Sequence, residues 1–429
     1  MFPSERAPLE PSLWFATAEP APVTSPLSES ISTDFLIIGA GYAGLSTALH
    51  LAEKGEAPVI LEARQIGFGG SGRNGGQLVP GLKHDPSEIL QKFGAVPGQK
   101  LIDFAGRTTT EVFDLIDKYQ MKVPHQRNGW IQSAHNEEGL RLAEKRVRDW
   151  QSHNADVDLL SRDEHRELMG SDSYLGGWVD RRGGSLQPLS YARELARAAI
   201  SLGVQIYTDT PVVDIRKMAE GWKVTVQNGV TIKAKQIVVC ANAYSDGLWP
   251  GLKESIIDPN TYQTATEVLP KEIYDSIFPK GHVASDTRNL LLYFRKDHTG
   301  RFIMGGRGPY REPKSEDDWT SLKRVSVRMF PQLKDVKWEY HWCGRVTVTP
   351  DFYPHIHEPA PGLFIDIGCQ GRGVGLQTAM GKAIANYLIS RDPETLPLPA
   401  TEIRPIPLYR LRKLYVAAAI TWYRFRDGR

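Results

Sequence analysis

Apolar positions along the chain switch between strand-like and helix-like spacing, and the first switch is the sharpest. Phe35–Ile38 is a short apolar run that predicts a buried strand, and an Ala/Leu-rich helical pattern opens after it at Tyr42. A membrane span over Phe35–Leu51 is excluded, because the stretch is too short, holds three glycines and runs at once into Glu53 and Lys54. Pro58–Leu61 predicts a second strand. From Pro86 to Met121 the spacing is helical, with a break predicted at Gly94–Gly98 and with Leu101, Phe104, Val112 and Ile116 on one face. Gly129–Ser133 reads as a strand, Glu137–Gln151 as a charged helix, and Ser161-Arg-Asp-Glu164 as a capping box.

Leu189–Gly203 returns to helical spacing and Val204–Tyr207 to a strand. Pro211–Ile215 and Trp222–Val226 follow as strands, and an Asn228-Gly229 hairpin turn leads into Thr231–Lys235. Ile237–Cys240 predicts a separate apolar strand ending at Ala241-Asn242. Residues 251–350 alternate strands (Tyr262–Val268, Leu291–Arg295, Arg301–Met304, Lys337–Trp342) with one amphipathic helix, Asp318–Phe330. Leu363–Gly375 repeats the order strand, glycine turn, helix, without the spacing of the first turn, and Leu376–Leu388 continues as helix. The tail, 401–429, carries seven basic residues against Glu402 and Asp427. Its apolar stretch Leu414–Tyr423 is too short to span a bilayer, so it predicts an amphipathic helix packed on its own protein, on a second copy, or on a membrane surface.

Composition adds exclusions. With 429 residues the chain is long enough for two domains, and its net charge of +2 gives no reason to expect a nucleic-acid partner. Cys240, Cys343 and Cys369 are widely spaced and form no metal-ligand pattern, so no metal is expected and a reducing compartment fits best. Residues 1–33 hold six prolines and no apolar core of an export signal, which reads as an irregular arm and predicts a cytoplasmic protein.

Candidate chemistry begins where the first strand meets the helix, at Gly39-Ala-Gly41-Tyr42-Ala43-Gly44. Gly39 allows the tight turn, Gly41 lets backbone N–H groups approach a pyrophosphate, and Gly44 lets the helix lie close on the strand. The helix N-terminus adds partial positive charge. The second strand ends at Glu62, 18 positions beyond Gly44, where a carboxylate can accept hydrogen bonds from ribose hydroxyls; Ala63 and Arg64 follow it. The glycine pattern alone would describe any glycine-rich turn, whereas strand, helix, second strand and terminal acid together specify dinucleotide binding. Gly67–Gly76 then supplies small residues and backbone N–H groups (Gly70, Ser71, Gly72, Arg73, Asn74, Gly75, Gly76) suited to wrapping a pyrophosphate, and a flexible loop is its plain alternative.

At this run the chain resembles the FAD-dependent amine oxidases of the D-amino-acid oxidase superfamily, most closely the gamma-glutamylputrescine oxidoreductases. The residues that carry the likeness are the GAGYAG turn, Glu62 and GFGGSGRNGGQ, ending at Gln77. The resemblance implies an α/β fold, with a Rossmann-type, glutathione-reductase-like FAD domain interleaved with an antiparallel-sheet α+β substrate domain. Its divisions would be an arm at 1–33, FAD-domain pieces at 34–120, 188–250 and 355–400, substrate-domain pieces at 121–187 and 251–354, and the tail at 401–429. It implies that backbone near Val212 meets the adenine, that Ala241 and Asn242 pass the phosphates, and that Gly371, Arg372, Gly373 and Val374 bring a helix N-terminus to the pyrimidine edge of the flavin. It also implies that strands bearing Tyr293, Arg307, His341 and Trp342 face the flavin, with Gln77 near the ring, although strand aromatics are usually core and strand arginines usually surface.

The activity implied is oxidation of an aliphatic primary amine, of the gamma-glutamylputrescine or polyamine type, to an imine and then an aldehyde, with O2 or another acceptor taking the electrons. No acid or base is required of the protein, and none is assigned. A D-amino-acid, sarcosine or glycine-type oxidase would need an arginine for the substrate carboxylate, for which Arg307 and Arg345 are candidates. A flavin-binding module without turnover is the reading from another class. Sarcosine oxidases of this superfamily attach flavin to a cysteine shortly before a T-x-T-x-D segment; here Cys343 precedes Thr347–Asp351 with one residue too many, which predicts noncovalent FAD.

Overall fold

The computed structural model describes residues 8–427, so the first seven residues of the arm and the last basic residue of the tail, Arg429, lie outside the described residues. Strand Ile31–Ile38 is fully buried only over its last four residues, Phe35–Ile38, the apolar run. It lies between two parallel partners, Val59–Leu61 and Thr231–Val239. Around this trio an eight-stranded sheet forms, extended by Gln205–Tyr207 on one side and by Trp222–Val226 and Val212–Lys217 on the other. Helices Tyr42–Ala52, Pro188–Ser201 and Gly373–Ser390 share one core with Phe35, Ile37, Ile60 and Val238, while Leu36, Ile38, Leu61 and Ile237 fill a second core on the opposite face. Burial on both faces is what a parallel sheet with continuous apolar strands requires.

Two helices cross this layer at close range. A Cβ on Gly381 would come within 2.6 Å of the Ala43 carbonyl and 2.8 Å of the Thr47 amide, so helix Gly373–Ser390 rides directly on the backbone of Tyr42–Ala52. At the turn, Gly39 has φ +112°, and a Cβ on Gly44 would collide with the Gly39 carbonyl.

The second sheet also has eight strands, running from Trp338–Arg345 through Asn260–Val268, Arg301–Arg307, Leu292–Lys296, Val283–Asp286, Trp130–Ser133 and Gly177–Asp180 to Val157–Leu160. It is antiparallel except for one pair, Val283–Asp286 beside Trp130–Ser133. That parallel pair joins the segment after residue 121 to the segment after residue 251, and Val283–Asp286 is too short and too mixed to read as a strand from its pattern. A small sheet of Gln77–Leu78, Gly184–Leu186 and His125–Gln126 bridges the layers.

Four expectations change. Residues 8–33 are not simply irregular, because Ser12 caps a short helix, Leu13–Thr17, by accepting from the Phe15 amide at 3.2 Å. Leu9, Leu13 and Trp14 of this stretch are fully buried in a cluster with Trp342 and Leu189, and burying a large apolar side chain contributes roughly 1.5–3 kcal/mol. Thr231–Lys235 and Ile237–Cys240 are one strand, Thr231–Val239, whose first half pairs antiparallel with Trp222–Val226 and whose second half pairs parallel with Leu363–Ile367. The partner changes along one edge while the strand continues. The break in the 86–121 region is Gly94 alone, since helices Pro86–Phe93 and Ala95–Lys118 meet there and Pro97 is tolerated in a first turn. The helix expected from Asp318 is split, with a 3-10 turn over Glu316–Trp319 before Thr320–Met329. In the tail, Arg412–Arg426 forms the expected helix, and no helix among the described residues is long and apolar enough to cross a membrane.

Candidate flavin and substrate cavity

Between the two sheets lies a cavity of about 1090 Å³, lined at one end by Gly39, Gly41, Glu62 and Val212 and elsewhere by Gln77, Tyr293 and Arg372. The end of the second strand is tied to the glycine turn through Glu62. Its Oε2 accepts from the Ala40 amide at 2.8 Å and its Oε1 from the Arg64 amide at 3.0 Å.

The glycine run is held, not loose. Ser71 Oγ accepts from the Tyr42 amide at 3.0 Å, and the Tyr42 hydroxyl donates to the Ser71 carbonyl at 2.6 Å and the Pro188 carbonyl at 2.9 Å. Burial pushes the Tyr42 phenol well above its ordinary range, so it remains a donor. Asn74 Nδ2 donates to the Gly70 and Ser71 carbonyls, and its Oδ1 accepts from the Gly76 amide at 2.8 Å. Arg73 is 3% exposed, and its guanidinium donates to the carbonyls of Phe68 at 2.7 Å and Cys343 at 3.2 Å. Its side chain therefore braces the loop against the second sheet.

Most of the residues expected to hold the cofactor line this one cavity: Gly39, Gly41, Tyr42, Ala43, Glu62, Ala63, Arg64, Gly70, Ser71, Arg73, Asn74, Gly75, Gln77, Val212, Ala241, Asn242 and Gly371–Val374. Gly44, Gly72 and Gly76 do not, because their missing side chains make room for protein: the Gly39 carbonyl, the Gly67 carbonyl and the Arg295 guanidinium. What the lining leaves open fits FAD. Two helix N-termini reach the cavity with no cap from the N-cap residue, at Gly41 and at Arg372; Ser71 Oγ takes the Tyr42 amide, and the other first-turn amides suit a pyrophosphate and the electron-rich edge of a flavin ring. The volume exceeds the usual range for a small-molecule pocket, about 300–1,000 Å³, and leaves room for a substrate beside the cofactor.

Of the pocket candidates, Gln77, Tyr293 and Arg307 line the cavity. Gln77 Nε2 donates to the carbonyls of Ala284 at 2.9 Å and Phe294 at 3.2 Å, and the Tyr293 hydroxyl is 2.6 Å from Thr261 Oγ1. His341 and Trp342 are not part of it. His341 packs edge-on to Trp319 and burial pushes its pKa down to about 4, while Trp342 Nε1 donates to the Arg73 carbonyl at 3.1 Å within the N-terminal cluster. Their strand reaches the cavity only from Gly344 onward. Of the two arginines considered for a carboxylate, Arg345 is already paired with Glu312 at 3.0 Å and Asp258 at 3.5 Å. Arg307 Nε and Nη2 are buried without a partner.

Two groups of lining residues escaped the sequence reading. Lys83 and Arg146 join Arg372 in the wall, and nothing in the turn Gly81-Leu-Lys-His84 or the charged helix Glu137–Gln151 marks them in advance. Tyr415, Val416, Ala419, Ile420 and Tyr423 of the tail helix form another part of the wall. Their spacing of one, three or four positions was a legible helical face. The Asp427 carboxylate fastens that helix, accepting from the Asn289 and Leu290 amides, each at 2.8 Å.

Cys343 is 2% exposed, does not line the cavity, and its thiol is 3.3 Å from Glu312 Oε2; burial and that acid push its pKa up to about 12. A thiol so held is a poor point of attachment. Acid precipitation of the yellow protein is therefore expected to leave the flavin in the supernatant, and colour in the pellet would show a covalent bond.

Residues 34–387 match the sequence profile of the DAO family, described as FAD dependent oxidoreductase. The chain is 32% identical to gamma-glutamylputrescine oxidoreductase of Escherichia coli and 30% identical to the probable oxidoreductase OrdL of Haemophilus influenzae, with 94% of both chains covered in each case. Among solved structures it is similar to glycine oxidase of Geobacillus kaustophilus, with TM-score 0.71 and 21% identity over 84% of this chain and 95% of that one.

Proposed function

Because the chain belongs to the DAO family of FAD-dependent oxidoreductases, we propose that it oxidises the terminal primary amine of an aliphatic substrate of the gamma-glutamylputrescine type. The likeness to the Escherichia coli gamma-glutamylputrescine oxidoreductase along nearly the whole chain carries this reading. Bound FAD supplies a hydride acceptor for the carbon next to nitrogen. The chain's own contribution is to position that carbon and exclude water. Gln77 and Tyr293 are each anchored by hydrogen bonds and suited to shaping the space beside the ring, and Tyr415, Ile420 and Tyr423 close the cavity with aromatic and apolar surface.

Anaerobic mixing of the FAD-loaded protein with gamma-glutamylputrescine should bleach the flavin. The second reading, a glycine, sarcosine or D-amino-acid oxidase, draws its support from Arg307 in the cavity wall, whose Nε and Nη2 have no hydrogen-bond partner. Fast bleaching by D-alanine, glycine or sarcosine with none by amines would establish it instead.

The amine reading predicts a pH profile. An alkyl ammonium with a pKa of about 10.4 has no free nitrogen lone pair at neutral pH, and hydride departs readily only from the neutral amine. Flavin reduction at saturating amine should rise with pH through one ionisation of the bound substrate and then level off. A flat profile would mean that the bound amine is already neutral across the range.

The tail helix turns a different face outward. Leu414, Trp422 and Phe425 are between 59% and 77% exposed, a surface suited to a second copy or to a membrane surface. Sedimentation velocity and vesicle co-sedimentation of the intact protein separate the two.

A further inference from the structure

Three cations meet in the cavity wall: Lys83 after strand Gln77–Leu78, Arg146 on helix Glu137–Gln151, and Arg372 at the N-terminus of helix Gly373–Ser390. Arg146 is compensated, since its Nε lies 2.9 Å from Asp85 Oδ1 and its Nη1 donates to Gln132 Oε1. Neither Lys83 nor Arg372 makes an ion pair among the described residues, and Arg372 Nε is buried without a partner. Lys83 is exposed and lines the cavity, so a molecule bound there can reach its ammonium. Protein packed around the side chain, with Arg372 and Arg146 nearby, pushes its pKa down to about 7. Burial and Arg146 likewise push Arg372 down to about 10. Cations gathered in one cavity wall repel one another, and an anion bound among them relieves that repulsion.

Resting on the amine-oxidising reading, we propose that Lys83, backed by Arg372, binds a carboxylate at the end of the substrate opposite the oxidised amine. The substrate class is then an N-acylated diamine whose acyl group carries a free carboxylate. A free polyamine fits poorly, because it brings two or more positive charges to a wall where Lys83, Arg372 and Arg307 make no ion pair among the described residues. The uncapped backbone amides at the N-terminus of helix Gly373–Ser390 suit the flavin edge, which leaves the Lys83 ammonium and the Arg372 guanidinium for the substrate.

The test is Lys83→Met in the FAD-loaded protein, with gamma-glutamylputrescine, N-acetylputrescine and glutarate as probes. N-acetylputrescine keeps the amine and the amide and lacks the carboxylate. Glutarate carries the carboxylates and no amine, and its binding is read from the flavin absorbance without turnover. The KM for gamma-glutamylputrescine and the Kd for glutarate should each rise about 10- to 100-fold in the variant, as expected for loss of a charge-assisted hydrogen bond. The KM for N-acetylputrescine, the FAD content and the melting temperature should stay unchanged. An unaltered glutarate Kd would overturn the proposal, as would FAD loss in step with weaker binding, which would assign Lys83 to the cofactor. Lys83-dependent glutarate binding in a protein that no amine bleaches would uphold the subsite and refute the amine-oxidising reading.

Discussion

Replacing Glu62 with alanine should strip FAD from the protein during purification and leave it largely colourless. The carboxylate joins two backbone segments, accepting from the Ala40 amide in the glycine turn and from the Arg64 amide beyond the strand, and its position at the strand end suits it to the ribose hydroxyls. A hydrogen bond to a charged group is worth roughly 1.5–3 kcal/mol, so losing one to the ribose should raise the FAD Kd about 10- to 150-fold. Glu62→Gln keeps one acceptor oxygen and no charge, and should fall between the two. Titrating FAD into each apo-protein by flavin fluorescence measures this directly, and melting of the same samples reports any loss of fold. An unchanged Kd in the alanine variant would remove Glu62 from the cofactor site.

Asp366→Asn should stabilise the protein, and increasingly so at higher pH. Asp366 lies in strand Leu363–Ile367, is 1% exposed, and neither carboxylate oxygen has a hydrogen-bond partner. Burial raises its pKa from 3.8 to about 7. Gln377 pulls more weakly the other way, and its Nε2 makes no well-directed hydrogen bond. The sign follows from proton binding: between pH 3.8 and about 7 the folded state holds a proton that the unfolded state has released. This group therefore costs little stability below the unfolded pKa, and its cost grows as pH rises until it saturates above the folded one. A shift of this size corresponds to about 4 kcal/mol at saturation. Denaturant unfolding of both proteins from pH 5 to 8 should show the variant gaining steadily on the parent, by a few kcal/mol at the upper end. Parallel stability curves would show that the carboxyl is not neutral in the folded state.

Features that short stretches of chain decide among themselves were legible in the order of the residues. The turn Gly39–Gly44 must follow a strand and open a helix, since only glycine accepts φ +112° at Gly39 and escapes collision with a backbone carbonyl at Gly44. The capping box at Ser161 and Glu164, helix Glu137–Gln151 and strand Trp222–Val226 are local in the same sense and stand where their patterns put them. Burial at the ends of the chain was less legible. The six prolines of residues 1–33 masked a helix that becomes stable only by burying Trp14 against Trp342 and Leu189. The substrate half of the cavity was decided by tertiary structure alone. Cys343 and Gly344 are neighbours on one strand, yet only the second meets the cavity, because the strand enters the cavity wall at Gly344 and Arg345. His341 and Trp342 point to opposite faces of that strand, and both miss the cavity because the strand reaches it only at its end. Lys83, Arg146, Arg372 and the tail tyrosines come from four separate elements, and their meeting depends on how the sheets and helices pack. A dinucleotide turn is written in consecutive residues because backbone conformation is local, whereas a substrate chamber is written in none because its walls meet only after the chain has closed around it.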